Sequence, residues 1–254
     1  MNRQSEAAAE IEGAVCQILE DKMGIPQHYS RELPERCLFL IESLLSAVND
    51  LAIEGDEHLG PLTTTFLLAM SNPIITLPIE RVERHRRRAL NGLEGYADDR
   101  PLSPELTNAV DIALGENALE QSPFICAGAW RFSSIPYNEQ QNVARYFPDD
   151  LAHALAMQDA LEEARLMSAS RWASCLRNSL AHGGVVYLDA DGHQCFGQPT
   201  EMIGFVSAQY PKNNMRKPPE RLVALRITRD DYLTFLRRWV GWLGESQLSL
   251  ALAA

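Results

Sequence analysis

The chain has 254 residues, 46% of them hydrophobic, and carries a formal net charge of −11 at pH 7. This length suits one large domain or two small ones, and the apolar content is sufficient for a full core. Proteins dedicated to nucleic-acid binding usually have a basic balance, because neutralisation of phosphates supplies most of their affinity. The acidic balance is most simply a contribution to solubility, and it restricts any contact with RNA to a local or transient one.

Cysteine usage indicates a reducing compartment. The five cysteines are scattered, without a Cys-x-x-Cys pair or a paired spacing with histidine: Cys16, Cys37, Cys126, Cys175 and Cys195. An odd number without framework spacing is typical of reduced thiols, so we expect a cytoplasmic protein with no metal site and no cofactor. Residues 2–14 lack the apolar segment of a signal peptide, and no stretch has the apolar length of a membrane span.

Helical spacing of apolar residues dominates the first half of the chain. It predicts helices over about residues 4–23, 30–52, 62–70, 79–90 and 103–114. Pro73 and Pro78 bracket the apolar residues 74–77, which we expect to be irregular because proline interrupts the helical hydrogen-bond pattern.

The helix predicted over 79–90 carries the one strongly basic run of the sequence. The arginines that define it are Arg81, Arg84, Arg87 and Arg88. Such a run is most simply a solvated helix face that balances nearby acids. The alternative is a patch that contacts RNA phosphates in an otherwise acidic protein.

The middle of the chain is less regular. Glycines and prolines punctuate residues 115–138, where we expect turns and a poorly periodic buried segment. A helix is predicted over about 138–146. From Asp149 or Asp150, apolar residues at helical spacing continue to about Leu180 as one long helix, or as two with a bend near 168–170.

After Gly183 and Gly184 the pattern changes to strands. Residues 185–189, a turn at 190–192 and residues 194–196 predict a hairpin, and 203–206 and 222–227 are further strand candidates. A final apolar helix begins after Thr228 or Asp230. We therefore predict a mainly α protein: a single helical domain over residues 1–254, with a small antiparallel β-insertion at about 185–227 before the C-terminal helix.

One helical turn concentrates the polar side chains that can act on RNA. Arg177, Asn178 and His182 precede the two glycines that end the helix, while Trp172 and Leu176 face the core. Histidine transfers protons near neutral pH, and the negative end of the helix favours its charged form. Arginine presents a planar fork that matches phosphate oxygens. The three residues are sufficient in outline for cleavage of RNA by its ribose 2′-hydroxyl without a metal: His182 would transfer the proton, Arg177 would stabilise the phosphorane and Asn178 would orient the histidine or hold the phosphate.

The spacing alone does not decide this assignment, since roughly one Arg-x(4–6)-His pair is expected by chance. In the alternative, Arg177 neutralises a nearby acid and His182 caps a helix carbonyl. Other candidates are weaker. Ser179 lacks a nucleophile elbow, His153 is more typical of a surface position, and a β-turn explains Asp189 and Asp191 better than a calcium loop does.

The whole string resembles the signature of the HEPN superfamily. The residues that carry the resemblance are Arg-Asn-Ser-Leu-Ala-His-Gly at 177–183, with weaker local similarity at 61–70, 186–189 and 231–239. They are most similar to a larger, mostly uncharacterised bacterial branch of that superfamily.

The resemblance implies a helical bundle that forms a homodimer, in which two arginine–histidine pairs face each other and build one composite ribonuclease site. It places catalysis at Arg177 and His182, with Asn178 supporting. Many members are toxins or phage-defence nucleases, some with an antitoxin protein as partner. Others are catalytically inactive and bind or dimerise, which leaves an inactive protein- or RNA-binding module as the alternative function.

Overall fold

A computed structural model describes residues 29–51, 60–91, 104–139, 145–211 and 218–246. The helices are α1 (Tyr29–Asn49), α2 (Thr63–Asn91), α3 (Pro104–Leu114), α4 (Asp149–Ala156), α5 (Asp159–Leu166), α6 (Ala169–His182) and α7 (Arg229–Glu245). The strands are β1 (Arg131–Pro136), β2 (Val185–Leu188), β3 (Met202–Gln209) and β4 (Arg221–Thr228). None of the helices in these ranges is long and apolar enough to cross a membrane.

The four strands form one antiparallel sheet in the order β1-β4-β3-β2. Strands β3 and β4 pair along their whole length, from Met202 opposite Thr228 to Gln209 opposite Arg221. Strand β2 is shorter and pairs only with the first half of β3, ending where Val185 lies opposite Phe205. The second half of β3 therefore has a neighbouring strand on one side only within the described part of the chain.

The predicted fold class is wrong, because the four-stranded sheet makes the protein mixed α/β and not a mainly α bundle with a small insertion. Strand β1 lies far upstream of the predicted insertion at 185–227 and completes the sheet beside β4. Alternate residues of β3 enter two different cores: Phe205 packs with the α6 and α7 side chains, and Val206 packs with those of α4. The sheet is therefore a central layer with helices on both faces, and the predicted strands at 203–206 and 222–227 are its two longest members.

Large aromatic side chains fill the core between the sheet, α6 and α7. They are Phe124, Trp130, Trp172, Phe205, Tyr232, Phe235, Trp239 and Trp242, with neighbouring ring centroids 4.8 to 6.5 Å apart. Trp172 of α6 is fully buried among them. Aromatic residues bury the largest areas of any side chains, so this cluster holds α6 firmly against the sheet.

Helix α2 runs through both of its prolines, so the irregular segment predicted at 74–77 is wrong. Pro78 cannot donate a backbone N–H to the carbonyl of Ile74, which lies four residues earlier. The indole N–H of Trp239 donates to that carbonyl instead, at 2.8 Å. A hydrogen bond from another helix thus satisfies the group that proline leaves open.

The long helix predicted from Asp149 to Leu180 is three helices. The backbone is extended at Met157 and at Met167, with ψ of 153° at both, and this ends α4 and α5. Ser168 then caps α6, so a break does occur near 168–170. The turns and poorly periodic buried segment predicted over 115–138 did not include a strand, and β1 at Arg131–Pro136 corrects that prediction.

Thr228 caps the C-terminal helix as predicted, because its Oγ1 accepts a hydrogen bond from the Asp231 N–H at 3.1 Å. The helix predicted over 4–23 lies outside the described residues, as does most of the one predicted over 138–146.

Candidate functional site

Helix α6 presents the arginine–histidine motif, and both of its ends are defined. The side chain of Ser168 accepts a hydrogen bond from the Arg171 N–H at 3.3 Å at the start of the helix. Gly183 ends it in the left-handed conformation, with φ of 71°. A Cβ on Gly184 would collide with the carbonyl oxygen of Val206. Only glycine allows the chain to pass so close to β3, and this contact fixes the position of His182 relative to the sheet.

The inner face of α6 is bound to the sheet by packing and by one polar contact. Ser179 is buried, and its Oγ lies 2.8 Å from the carbonyl oxygen of Cys175 and 2.9 Å from that of Val206. Both distances are those of hydrogen bonds. Ser179 is therefore a structural link between α6 and β3, and its burial excludes a role as a nucleophile.

Cys175 is also part of the core. Its Sγ lies 3.8 Å from the carbonyl oxygen of Phe205. Burial raises the pKa of the Cys175 thiol to about 12. A thiol in that state is protonated at neutral pH and is a poor nucleophile. Cys175 is therefore a buried residue of the core.

The outer side of α6 carries the three predicted catalytic residues. Arg177 and Asn178 are half-buried, and His182 is exposed on the last turn. Asn178 and His182 are four residues apart, so they share one side of the helix. Arg177 leaves the helix about 140° away from His182. Within one chain, the fold places Asn178 beside His182 and directs Arg177 to the opposite border of the exposed face.

The predicted phosphate-contacting arginines lie apart from this motif in the chain. Arg81, Arg84, Arg87 and Arg88 belong to the second half of α2, and their side chains lie outside the described residues. The assignment of these arginines to RNA binding stays a prediction.

A groove on the Asn178 side of α6 was not among the sites predicted from the sequence. The groove has a volume of about 360 Å³, and among its lining residues are Arg171, Asn178 and Tyr210. The guanidinium of Arg171 donates from Nη2 to Gln209 Oε1 at 3.3 Å, and its Cζ lies 4.7 Å from the centre of the Phe132 ring. The helix wall of the groove could have been predicted, because residues 171, 174, 178 and 182 lie on one side of a helix. The strand wall could not, because no local sequence pattern places its residues opposite that helix.

The loop after β2 has the three groups that come nearest to a metal site among the described residues. Ligand atoms of Asp189, Asp191 and His193 lie within 4.8 Å of one another. The Asp189 carboxylate accepts hydrogen bonds from the backbone N–H groups of Asp191 at 3.0 Å and His193 at 2.9 Å. These bonds are those of a turn stabilised by an aspartate side chain, which accounts for the position of Asp189 without an ion.

No known protein family, curated protein or solved structure matches this chain. The resemblance of residues 177–183 to the HEPN signature therefore rests on the motif itself.

Proposed function

We propose that this protein is an endoribonuclease that cleaves RNA by attack of a ribose 2′-hydroxyl on the adjacent phosphate, with Arg177 and His182 as its catalytic residues. The observation that supports this proposal most directly is the position of His182. It is exposed at the end of a helix whose other face is anchored by Trp172 and Ser179. A proton-transfer group must be accessible to substrate and held by a rigid element, and His182 meets both conditions.

The proposed reaction needs a base, an acid and a group that binds the charged phosphorane. A neutral imidazole takes the proton from the 2′-hydroxyl, whose oxygen then bonds to phosphorus. The bond from phosphorus to the 5′-oxygen breaks, and an imidazolium protonates that oxygen. The products are a 2′,3′-cyclic phosphate and a free 5′-hydroxyl. Arg177 stabilises the extra negative charge of the intermediate, and Asn178 positions its neighbour His182.

In this proposal, two chains form a homodimer: His182 of one chain takes the first proton and gives up the second, while Arg177 of the other chain stabilises the phosphorane. Arg177 and His182 point about 140° apart around α6, which favours this arrangement. When the α6 helices of two chains face each other, an arginine of one chain can lie near a histidine of the other. No step requires a metal ion.

The test is cleavage of a structured RNA by the purified protein in the presence of EDTA. We expect products with 2′,3′-cyclic phosphate ends. Arg177→Ala and His182→Ala should each lower the rate by about a hundredfold or more, the range for loss of a group that stabilises the charged intermediate and of an acid–base group, respectively. His193→Ala and Arg237→Ala are matched controls, because both side chains are exposed on other parts of the molecule.

Cleavage that is abolished by EDTA, or that survives in His182→Ala, contradicts the proposal. Binding of RNA without any cleavage by the unaltered protein would identify it instead as the inactive binding module.

A further inference from the structure

The groove beside Asn178 has two different walls. One wall is the outer side of α6, and the other is the end of β3 with the residues that follow it. The polar and aromatic residues that line it are Ser170, Arg171, Ser174, Asn178, Ser207, Gln209 and Tyr210. It adjoins the candidate catalytic residues through Asn178, which belongs to both.

Arg171 is the charged group of this groove, and it is held in place. The Phe132 ring supports one face of its guanidinium, and Gln209 accepts one of its hydrogen bonds. Within the described residues no carboxylate forms an ion pair with Arg171, although other exposed arginines of these ranges do, such as Arg165 and Arg237. An exposed, oriented guanidinium without an acidic partner is suited to bind a phosphate with two parallel hydrogen bonds.

The strand wall offers hydrogen-bonding groups of the backbone. The Val206 N–H donates to the Gly184 carbonyl at 2.7 Å, which shows that Val206 directs its backbone groups towards the β2 side. Residues of a strand alternate in this respect, so the N–H and carbonyl of Ala208 point the same way. Strand β2 has already ended there, so these two groups have no neighbouring strand on that side among the described residues, and Ala208 is one of the residues that line the groove.

Tyr210 is the aromatic residue among those that line the groove, and the residue is 41% exposed. A nucleobase stacks on such a ring, and base edges pair with a donor and an acceptor that lie side by side. The groove thus combines a phosphate-binding group, a stacking surface and a backbone edge.

We propose that this groove binds a nucleotide of single-stranded RNA, with its phosphate on Arg171 and its base between Tyr210 and the open edge at Ala208. The inference rests on the proposed function, because it identifies the substrate class of that site. Arg171 precedes His182 by eleven residues, or about 16 Å along the helix. The groove therefore holds a nucleotide that flanks the cleaved bond, and a base-paired duplex cannot place its bases there.

The path of the RNA along the groove follows from the position of a nearby carboxylate. Glu116 accepts a hydrogen bond from Ser170 Oγ at 2.7 Å, so that end of the groove repels phosphates. The backbone of the RNA leaves Arg171 towards Asn178 and His182. Because the RNA would contact only the short stretch from Arg171 to His182, an acidic protein could bind it without a large basic surface.

The experiment measures binding separately from cleavage. His182→Ala protein is titrated into a short, fluorescently labelled single-stranded RNA of mixed sequence, and the same strand in a duplex is the second arm. Adding Arg171→Ala or Tyr210→Ala should weaken binding of the single strand about tenfold, while Tyr210→Phe should retain it. Arg237→Ala, which removes the same charge from α7, should change the affinity by less than about twofold.

The inference is overturned if Arg171→Ala and Tyr210→Ala both bind the single strand within about twofold of the His182→Ala parent. Circular dichroism must show that both variants are folded. Binding of the duplex as tightly as the single strand also overturns it. The two proposals fail separately. If RNA binding depends on the groove but the unaltered protein does not cleave RNA, only the ribonuclease proposal is contradicted. If Arg171→Ala and Tyr210→Ala cleave RNA with unchanged KM, only the groove proposal is contradicted.

Discussion

Cys175 illustrates how burial determines the chemistry of single residues around the motif. Its thiol keeps its proton in the folded protein to about pH 12, whereas in the unfolded chain it loses the proton near its ordinary value of 9.0. Between these values the unfolded state has lost a proton that the folded state retains. This difference lowers the free energy of unfolding by at most about 1.4 kcal/mol for each pH unit.

We therefore expect the destabilisation caused by Cys175→Ala to decrease as the pH rises above about 9, because alanine has no proton to lose. Urea unfolding of both proteins at several pH values measures this difference. Burial also raises the pKa of Tyr232, but that effect is present in both proteins and cancels. A cost of Cys175→Ala that stays constant through the alkaline range would show that the thiol is not desolvated in the folded state.

Some helices and strands of this protein can be predicted from local sequence patterns, whereas others depend on contacts with residues far away in the chain. Helices α1, α3 and α7 are predictable because their apolar spacing is encoded locally, and the Thr228 cap of α7 lies directly before that helix in the sequence. The continuity of α2 is not, because it depends on a hydrogen bond from Trp239, far away in the chain. Strand β1 is likewise recognisable only beside β4. Its residues Phe132 and Ser133 are buried by that pairing and by the helices, and they show no strict alternation.

A double-mutant cycle tests the relation between Pro78 and Trp239. Trp239→Phe removes the donor and leaves the Ile74 carbonyl without a partner, which should cost about 1–3 kcal/mol in addition to lost packing. In a Pro78→Ala background, the new backbone N–H reaches the same carbonyl, so we expect the cost of Trp239→Phe to fall by about 1 kcal/mol. Chemical denaturation measures the four unfolding free energies.

The control for this cycle is Trp242→Phe. Trp242 packs on Trp239 with ring centroids 5.3 Å apart. Because Trp242 has no hydrogen bond to the carbonyl of Ile74, its substitution should cost the same in both backgrounds. Equal costs for Trp239→Phe with and without Pro78 would show that the indole does not replace the missing helical bond.

For the whole molecule, the sequence predicts the polar content of the candidate site better than its shape. Arg177, Asn178 and His182 are recognisable because a short stretch of one helix carries them. The groove is not, because its walls come from α6 and from the part of β3 that extends beyond β2. Residues such as Gln209 and Tyr210 acquire a common role only after the sheet has brought them opposite the helix.

The divergence of Arg177 and His182 on α6 leads to a prediction about the assembled protein. If the site is built from two chains, Arg177→Ala and His182→Ala should each be inactive alone, and a mixture of the two should regain activity. A heterodimer of these variants retains one arginine and one histidine, and random exchange makes about half of the dimers heterodimers. Cleavage of RNA by the mixture, after subunit exchange has been confirmed, is the measurement.

A double variant with both substitutions provides the matched comparison. Mixed with Arg177→Ala, it forms heterodimers that contain no Arg177 at all, and we expect no recovery. Full loss of activity in both mixtures would place the arginine and histidine of each reaction in the same chain. Because about 140° of helix rotation separates the two side chains, that result would require Arg177 to bend around the exposed face of α6 towards Asn178. The half-buried position of Arg177 makes such a movement costly, so recovery in the first mixture alone is the result that the geometry favours.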